Sequence, residues 1–329
     1  MDYFSREFRF SKTSRAFAIC NFLRAAKTEH RNSGPLRTMS ATTEKPTCLV
    51  TGVSGYLGSC VSRALEQSGW NVRPLTRSPH PGSSAVRFQL GEEISANSLT
   101  GAQALVHCAY DFKQVAWRDI HTVNVSGSEK LLRAAREAKI ERLIYISSIS
   151  AYEGCRSLYG KAKLETEKIA RSLGAISIRP GLIWSESPGA MFGRLMRQVE
   201  NARVLPLFGG GSQIQYMVHE QDLSKIICSL AAGALKSPSE VLTVANEQPW
   251  TFRQILEEIA RAKQKHISFL PVPWRLLWAA LKCAELLQVP LNFKSDSLVS
   301  LMYQNPSPRF SSQGELGVSC RPFRLPKGG

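Results

Sequence analysis

Tyr159 and Lys163 stand four residues apart. On a helix that spacing projects both side chains from one face. A phenol titrates near 10 and is a poor base at neutral pH unless a cation stabilises its phenolate. The Lys163 ammonium can be that cation and lower the tyrosine pKa. Ser148 lies 11 residues before Tyr159, just past the apolar run Leu143-Ile144-Tyr145-Ile146. A hydroxyl at a strand end can donate a hydrogen bond to a reacting oxygen, with Ser147 and Ser150 as competitors for that role. Together these groups suit moving a proton at an alcohol or carbonyl oxygen while a hydride moves at its carbon.

A hydride needs a carrier, and the N-terminal half provides a place for one. Thr47-Cys48-Leu49-Val50-Thr51 has strand character, and Gly52-Val53-Ser54-Gly55-Tyr56-Leu57-Gly58 follows. Leu57, Val61, Ala64 and Leu65 then recur at helical spacing, with Gly69 as a stop. Strand, glycine loop and helix in that order form a phosphate cradle. The glycines let backbone approach a pyrophosphate, and the helix N-terminus offers unpaired N–H groups. A second strand over 70–75 leads to Arg77, 19 residues past Gly58. An acid near that point bonds the ribose hydroxyls in NAD-binding folds. A guanidinium instead pairs with a 2′-phosphate. The reading is NADP(H), with NAD(H) as the alternative and an ordinary surface role for Arg77 left open.

At this point the chain resembles the short-chain dehydrogenase/reductase superfamily, in its extended, NAD-dependent epimerase/dehydratase branch. Thr51-Gly52-x-x-Gly55-Tyr56-Leu57-Gly58 matches the extended glycine motif. Ala104–Ala109 matches the fourth strand, beside the cofactor. Val123-Asn124-Val125-x-Gly127 matches the next helix, and Leu143–Ser148 the fifth strand with its serine. Tyr159-Gly-Lys-Ala-Lys163, Arg179-Pro180-Gly181 and Val218-His219-x-x-Asp222-Leu223 complete the series, over residues 47 to about 265. The resemblance implies a Rossmann-like, doubly wound parallel α/β sheet with a smaller interleaved substrate lobe. It implies Ser148, Tyr159, Lys163 and Asn124 as the catalytic set, with Ser148 preferred because it stands four residues before Tyr152. It implies cofactor contacts from Gly52, Gly55, Tyr56, Leu57, Gly58, Arg77, Ala109, Tyr159, Lys163 and Pro180, with Lys163 on the nicotinamide ribose. His219 and Asp222 are expected to be structural.

Departures narrow the function. The short Ser148-to-Tyr159 gap and the absence of an Asn and a Gly-Pro pair after Pro180 argue against a nucleotide-sugar substrate. Gln89 replaces an aspartate that often contacts adenine. The expected activity is an NAD(P)(H)-dependent oxidoreductase. A nucleotide-sugar epimerase or dehydratase using bound NAD, and a non-catalytic dinucleotide-binding protein, are the alternatives.

Of 329 residues, 43% are hydrophobic and 21% charged, a globular composition rather than a disordered one. No run of about 18 apolar residues exists to span a membrane. The eight cysteines show no zinc spacing, so no metal is expected. The net charge is +16, of which residues 1–38 hold 8 Lys/Arg and 3 acids. Neither a zinc finger nor an interleaved basic and aromatic run suggests nucleic acid, so a small-molecule substrate is the expected partner. Homodimers are common in the family and are carried as an expectation from it. Residues 1–44 read as a disordered or targeting leader. The location is then cytoplasmic, or an organelle if residues 1–38 act as a transit peptide.

The expected cofactor lobe is 45–183 with 215–246, and the substrate lobe 184–214 with 247–329. Thr251 is the expected cap of a helix carrying Phe252, Ile255, Leu256 and Ile259. The stretch 267–293 holds Trp274 and Trp278 and can pack on the lobe, form a lid or touch a membrane surface. The tail after Pro306 reads as polar and frayed.

Overall fold

Three strand segments carry almost unbroken apolar runs, and each is buried on both faces. These are Thr47–Thr51 (β1), Ala104–His107 and Arg142–Ile146, the pattern of interior strands in a parallel sheet. The computed structural model describes residues 45–186, 189–235, 241–289, 291 and 293–326, and Lys45–Gly329 cluster as one unit. The leader expected over 1–44 lies outside the described residues.

After β1, the strands run β2 (Asn71–Thr76), β3 (Val86–Arg87), β4 (Ala104–His107), β5 (Arg142–Ile146) and β6 (Ile176–Pro180). Then come β7 (Leu182–Trp184), β8 (Val204–Phe208), β9 (Ile214–His219), β10 (Leu242–Val244), β11 (Pro249–Thr251) and β12 (Ser268–Val272). The α-helices among the described residues are α1 (Tyr56–Gln67), α2 (Trp117–Ile120), α3 (Gly127–Glu137), α4 (Leu158–Ser172) and α5 (Ala190–Asn201). They continue with α6 (Glu220–Ala231), α7 (Phe252–Ala262), α8 (Trp274–Leu286), α9 (Ser295–Met302) and α10 (Gln313–Leu316).

Among the described residues, seven strands form a parallel sheet in the order β10-β6-β5-β4-β1-β2-β3. This is the Rossmann-like, doubly wound α/β fold. Side chains alternate across it with period two. Cys48, Val50, Val106 and Ile144 pack with Val61 and Leu65 of α1 and Ile226, Ile227 and Leu230 of α6. Leu49, Leu105 and Leu143 face the other way, onto Leu131, Leu132 and Ala135 of α3. The strand order reverses between β1 and β4. The carboxyl ends of those two strands therefore open a crevice, the place where this topology takes ligands.

A separate apolar cluster joins α5, α7, β8 and β9, with two small sheets, β11-β9-β7 and β12-β8. Thr251 caps α7 as expected, in a reciprocal capping box with Gln254.

The tail is a correction. Phe323 is 2% exposed, and its ring meets Trp184, Phe192 and Trp250 edge-on at 5.0–5.6 Å. Arg321 forks onto Asp222, and Arg261 donates to the Leu325 carbonyl. The polar residues masked two well-spaced apolar anchors, Phe323 and Leu325, and sequence polarity alone missed them.

Phe323→Ala should therefore destabilise the chain by about 3–5 kcal/mol, read by chemical denaturation. A loss below about 1 kcal/mol would mean that the tail contributes little to the fold.

Candidate functional site

The crevice is built from its floor upward. Gly52 has φ +71, and a Cβ there would press on the Ala109 backbone. A Cβ on Gly58 would collide with the Gly52 carbonyl. Only glycine lets α1 start this close to β1 and β4. The Gly55 N–H closes the turn on the Gly52 carbonyl at 2.9 Å. At the α1 N-terminus no side chain caps the helix and no acid sits in the first turn. That leaves N–H groups and positive dipole for an anion, so the cradle fits the pyrophosphate of a dinucleotide.

Below the loop runs a hydrogen-bond chain whose Thr51, His107, Ser128 and Asn124 members are buried. The amides of Cys108 and Ala109 donate to Thr51 Oγ1, each at 3.0 Å. Thr51 Oγ1 lies 2.7 Å from His107 Nδ1, and His107 Nε2 lies 2.9 Å from Ser128 Oγ. Ser128 donates to the Asn124 carbonyl at 2.5 Å. With Ser128's proton committed there, His107 Nε2 must donate and Nδ1 must accept from Thr51. Burial, with the Lys163 charge nearby, pushes the His107 pKa down to about 3, so the ring stays neutral. The sequence reading passed over this residue.

Asn124 sits in a π-helical turn, His121–Ser126, between α2 and α3. Its side-chain oxygen accepts from the Asp111 N–H at 2.7 Å, and its amide donates to the Asp111 carbonyl at 3.1 Å. Both bonds fix the loop after β4. That loop delivers Tyr110, whose ring meets Tyr159 edge-on at 5.0 Å, and Phe112, stacked on Tyr159 at 5.7 Å.

Tyr159 and Lys163 project from α4, whose first turn is capped twice. The Ser157 hydroxyl accepts from Gly160 N–H, and the Asp296 carboxylate accepts from Leu158 and Tyr159 N–H at 2.7 and 2.9 Å. Asp296 begins α9, 138 residues beyond Leu158. No local motif pointed to it.

Lys163 is buried, and its Nζ donates to the Ile146 carbonyl at 2.7 Å, over the rings of Tyr145 and Tyr110. Burial lowers its pKa to about 8. Tyr159 departs from expectation. Burial raises its pKa, and the opposing influence is a hydrogen bond from Ser148 rather than the lysine charge. The ammonium donates to the Ile146 carbonyl at the end of β5, and the burial of the phenol outweighs the hydrogen bond that opposes it. Ser148 is the serine beside Tyr159. Ser147 is buried in the sheet, and the Ser150 hydroxyl pairs with Ser300.

The remaining positions divide. Ala109 and Pro180 offer backbone at the crevice, where the Pro180 carbonyl accepts from Ile149 N–H. Leu57 packs into the sheet–helix core, leaving its backbone for a ligand. The Tyr56 hydroxyl is bound to Ser185, at 2.7 Å, and to Glu220 of α6. Its side chain thus ties the glycine loop to later chain. Arg77 is exposed just past the carboxyl end of β2. His219 caps α6 and approaches Glu186 at 3.1 Å, and Asp222 holds Arg321, so both are structural.

A glycine cradle at the switch point of a parallel sheet, with a Ser-Tyr-Lys cluster at its rim, defines a dinucleotide-binding α/β protein. The sequence profile of the NAD dependent epimerase/dehydratase family matches residues 48–245, and the chain belongs to that family. Over 192 residues it is 30% identical to a ceramide reductase of Caulobacter vibrioides, covering 55% of this chain and 60% of that protein. Over 206 residues it is 26% identical to a 3 beta-hydroxysteroid dehydrogenase/Delta 5→4-isomerase of Mycobacterium tuberculosis, covering 52% and 56%. The alignments thus span about three fifths or less of these relatives. In fold, the chain is similar to the crystal structure of gox2253, with TM-score 0.62, 21% identity and coverage of 84% and 94%. It is also similar to MoeE5 in complex with UDP-glucuronic acid and NAD, with TM-score 0.60, 21% identity and coverage of 69% and 85%.

The lysine has a stability consequence. Its pKa falls from 10.5 to about 8 on folding. Protonated burial is therefore penalised fully below pH 8, and the penalty fades as pH rises towards 10.5. Lys163→Met should raise the apparent melting temperature of the nucleotide-free chain by several degrees at pH 6.5, on the order of 3 kcal/mol at most. The gain should shrink by pH 10. An equal gain at both values would show that folding does not lower the lysine pKa.

Proposed function

We propose that the chain is an NADP(H)-dependent oxidoreductase that reduces the carbonyl of an apolar small molecule. The observation that carries this is the placement of the Tyr159 hydroxyl beside Ser148, with its ring half-buried under Tyr110 and Phe112. A phenol held above its ordinary value rests protonated at neutral pH. It is then poised to give a proton to an oxygen becoming an alkoxide.

A dinucleotide held in the glycine cradle would supply the hydride. Ser148 donates a hydrogen bond that orients the substrate carbonyl and steadies its growing negative charge. Tyr159 delivers the proton to that oxygen. Lys163, four residues along α4 and anchored on the Ile146 carbonyl, would hold a ribose hydroxyl of the bound dinucleotide. Asn124 acts indirectly, by fixing the loop that carries Tyr110 and Phe112. Gly52, Gly55 and Gly58 would admit the pyrophosphate, and Arg77 would pair with the 2′-phosphate. The aromatic cover supports an apolar substrate, since Phe112 is 63% exposed at the rim with no polar group to satisfy. The names of the ceramide reductase and the hydroxysteroid dehydrogenase agree with that class.

The test is NADPH oxidation with long-chain and steroidal ketones. Tyr159→Phe keeps the ring stack and should reduce turnover at least about 100-fold while leaving nucleotide binding and unfolding unchanged. Full activity in that variant would sink the mechanism. Purified chain that retains NAD and interconverts a nucleotide sugar without net nicotinamide oxidation would support the epimerase reading instead. Because the phenol must be ionised to act as a base, alcohol oxidation should climb with pH between 7 and 10. A pH-independent oxidation rate would contradict Tyr159 as the proton carrier.

A further inference from the structure

Helix α8 is apolar on two sides. Trp274, Leu277 and Leu281, at helical spacing, pack on the cluster of the smaller lobe. Its opposite stripe is Leu276, Ala279, Ala280, Cys283 and Leu287, and all five are exposed. Leu276 is 68% exposed, Leu286 81% and Leu287 77%. No residue of this helix is fully buried. An exposed stripe this apolar is not the outer face of an ordinary surface helix.

Charge narrows what covers it. The helix carries Arg275, Lys282 and Glu285. The single acid is turned inward, bonded to Ser295 and Lys282, with its side chain 7% exposed. Arg275 is exposed, and the Lys282 side chain is 40% exposed. The outward charge is therefore basic, on a chain of net charge +16. Exposed Leu and Trp beside basic side chains form the pattern of a helix lying in the surface of an anionic bilayer.

The patch is joined to the mouth of the site. Lys294, the N-cap of α9 eight residues past α8, donates to the Lys113 carbonyl at 2.7 Å. Lys113 lies between Phe112, stacked on Tyr159, and exposed Val115 and Trp117. Asp296, two residues after Lys294, holds the Tyr159 N–H. A surface that seats α8 would meet the rim through which a substrate reaches Tyr159.

We propose that α8, with the neighbouring Phe112–Trp117 rim, docks the chain on an anionic phospholipid bilayer. Docking itself does not depend on the oxidoreductase reading. Only its use, delivery of a membrane-borne apolar substrate to Tyr159, rests on it.

The experiment is flotation of the full chain, without nucleotide or substrate, on two vesicle types. One is phosphatidylcholine alone and the other is phosphatidylcholine mixed with phosphatidylglycerol. The wild type should float with the mixed vesicles and much less with the neutral ones. Leu276→Asp/Leu287→Asp should lower the bound fraction at least about tenfold, with an unchanged melting temperature because both side chains face solvent. Arg275→Glu should weaken binding to the mixed vesicles only. Failure of the wild type to bind either vesicle would overturn the proposal. So would full binding by the double variant, which would place the contact elsewhere. Self-association of the wild type that the double variant abolishes, without vesicle binding, would assign the face to a second copy of the chain and also overturn it. Vesicle binding by a chain that reduces no ketone would refute the oxidoreductase reading and leave the docking intact.

Discussion

The site depends on one buried hydrogen-bond chain, from the Cys108 and Ala109 amides through Thr51, His107 and Ser128 to the Asn124 carbonyl. Each donor in it has one acceptor, so its direction is fixed. Its links tie three elements together. Thr51 ends β1, His107 ends β4, and Ser128 and Asn124 belong to the helix that begins with a π turn. The chain locks the glycine loop against β4 and sets the height of the Asn124 turn. Through the side-chain amide of Asn124 it also fixes the loop bearing Tyr110 and Phe112. A charged imidazole would break this order by adding a second donor at Nδ1, facing Thr51. Complete burial prevents that by holding the histidine pKa near 3.

Above this floor, distant parts of the chain converge on Tyr159. Its ring is covered from the loop after β4, its hydroxyl is met by Ser148 after β5, and its backbone is held by Asp296 of α9. The last contact puts a carboxylate at the N-terminus of α4, where the helix dipole favours negative charge. It also gives the later chain a direct hold on the residue that would move the proton. Tyr56 makes a comparable tie at the other end of the crevice, through Ser185 and Glu220. The cofactor cradle and the chain expected to shape the substrate pocket are thus linked on both sides of the reacting centre.

Much of this was legible in the sequence, for physical reasons that differ by residue. Gly52 and Gly58 are readable because no other residue type tolerates the close approach of α1 to β1 and β4. Tyr159 and Lys163 are readable because a four-residue spacing places side chains together on any helix. Their electrostatics were not. Whether an ammonium faces a phenol or a strand carbonyl depends on tertiary placement, and Lys163 faces the Ile146 carbonyl. His107 lay inside a recognised strand, yet its task needs Ser128 from another element. Asp296 and Phe323 act over long separations with no periodic pattern around them. The exposed stripe of α8 was ambiguous for a different reason. A largely apolar helix reads the same in sequence whether it is core, lid or surface, and only its exposure in the fold separates these.

The central claim is that the crevice at the β1–β4 switch point takes a phosphorylated dinucleotide, with Arg77 on its 2′-phosphate. The most direct measurement is titration of nucleotide-free chain with NADPH and with NADH, following energy transfer from its tryptophans. The account predicts NADPH binding tighter by at least about tenfold, or about 1.4 kcal/mol, with the preference lost in Arg77→Ala. Equal or tighter NADH binding by the wild type would contradict it.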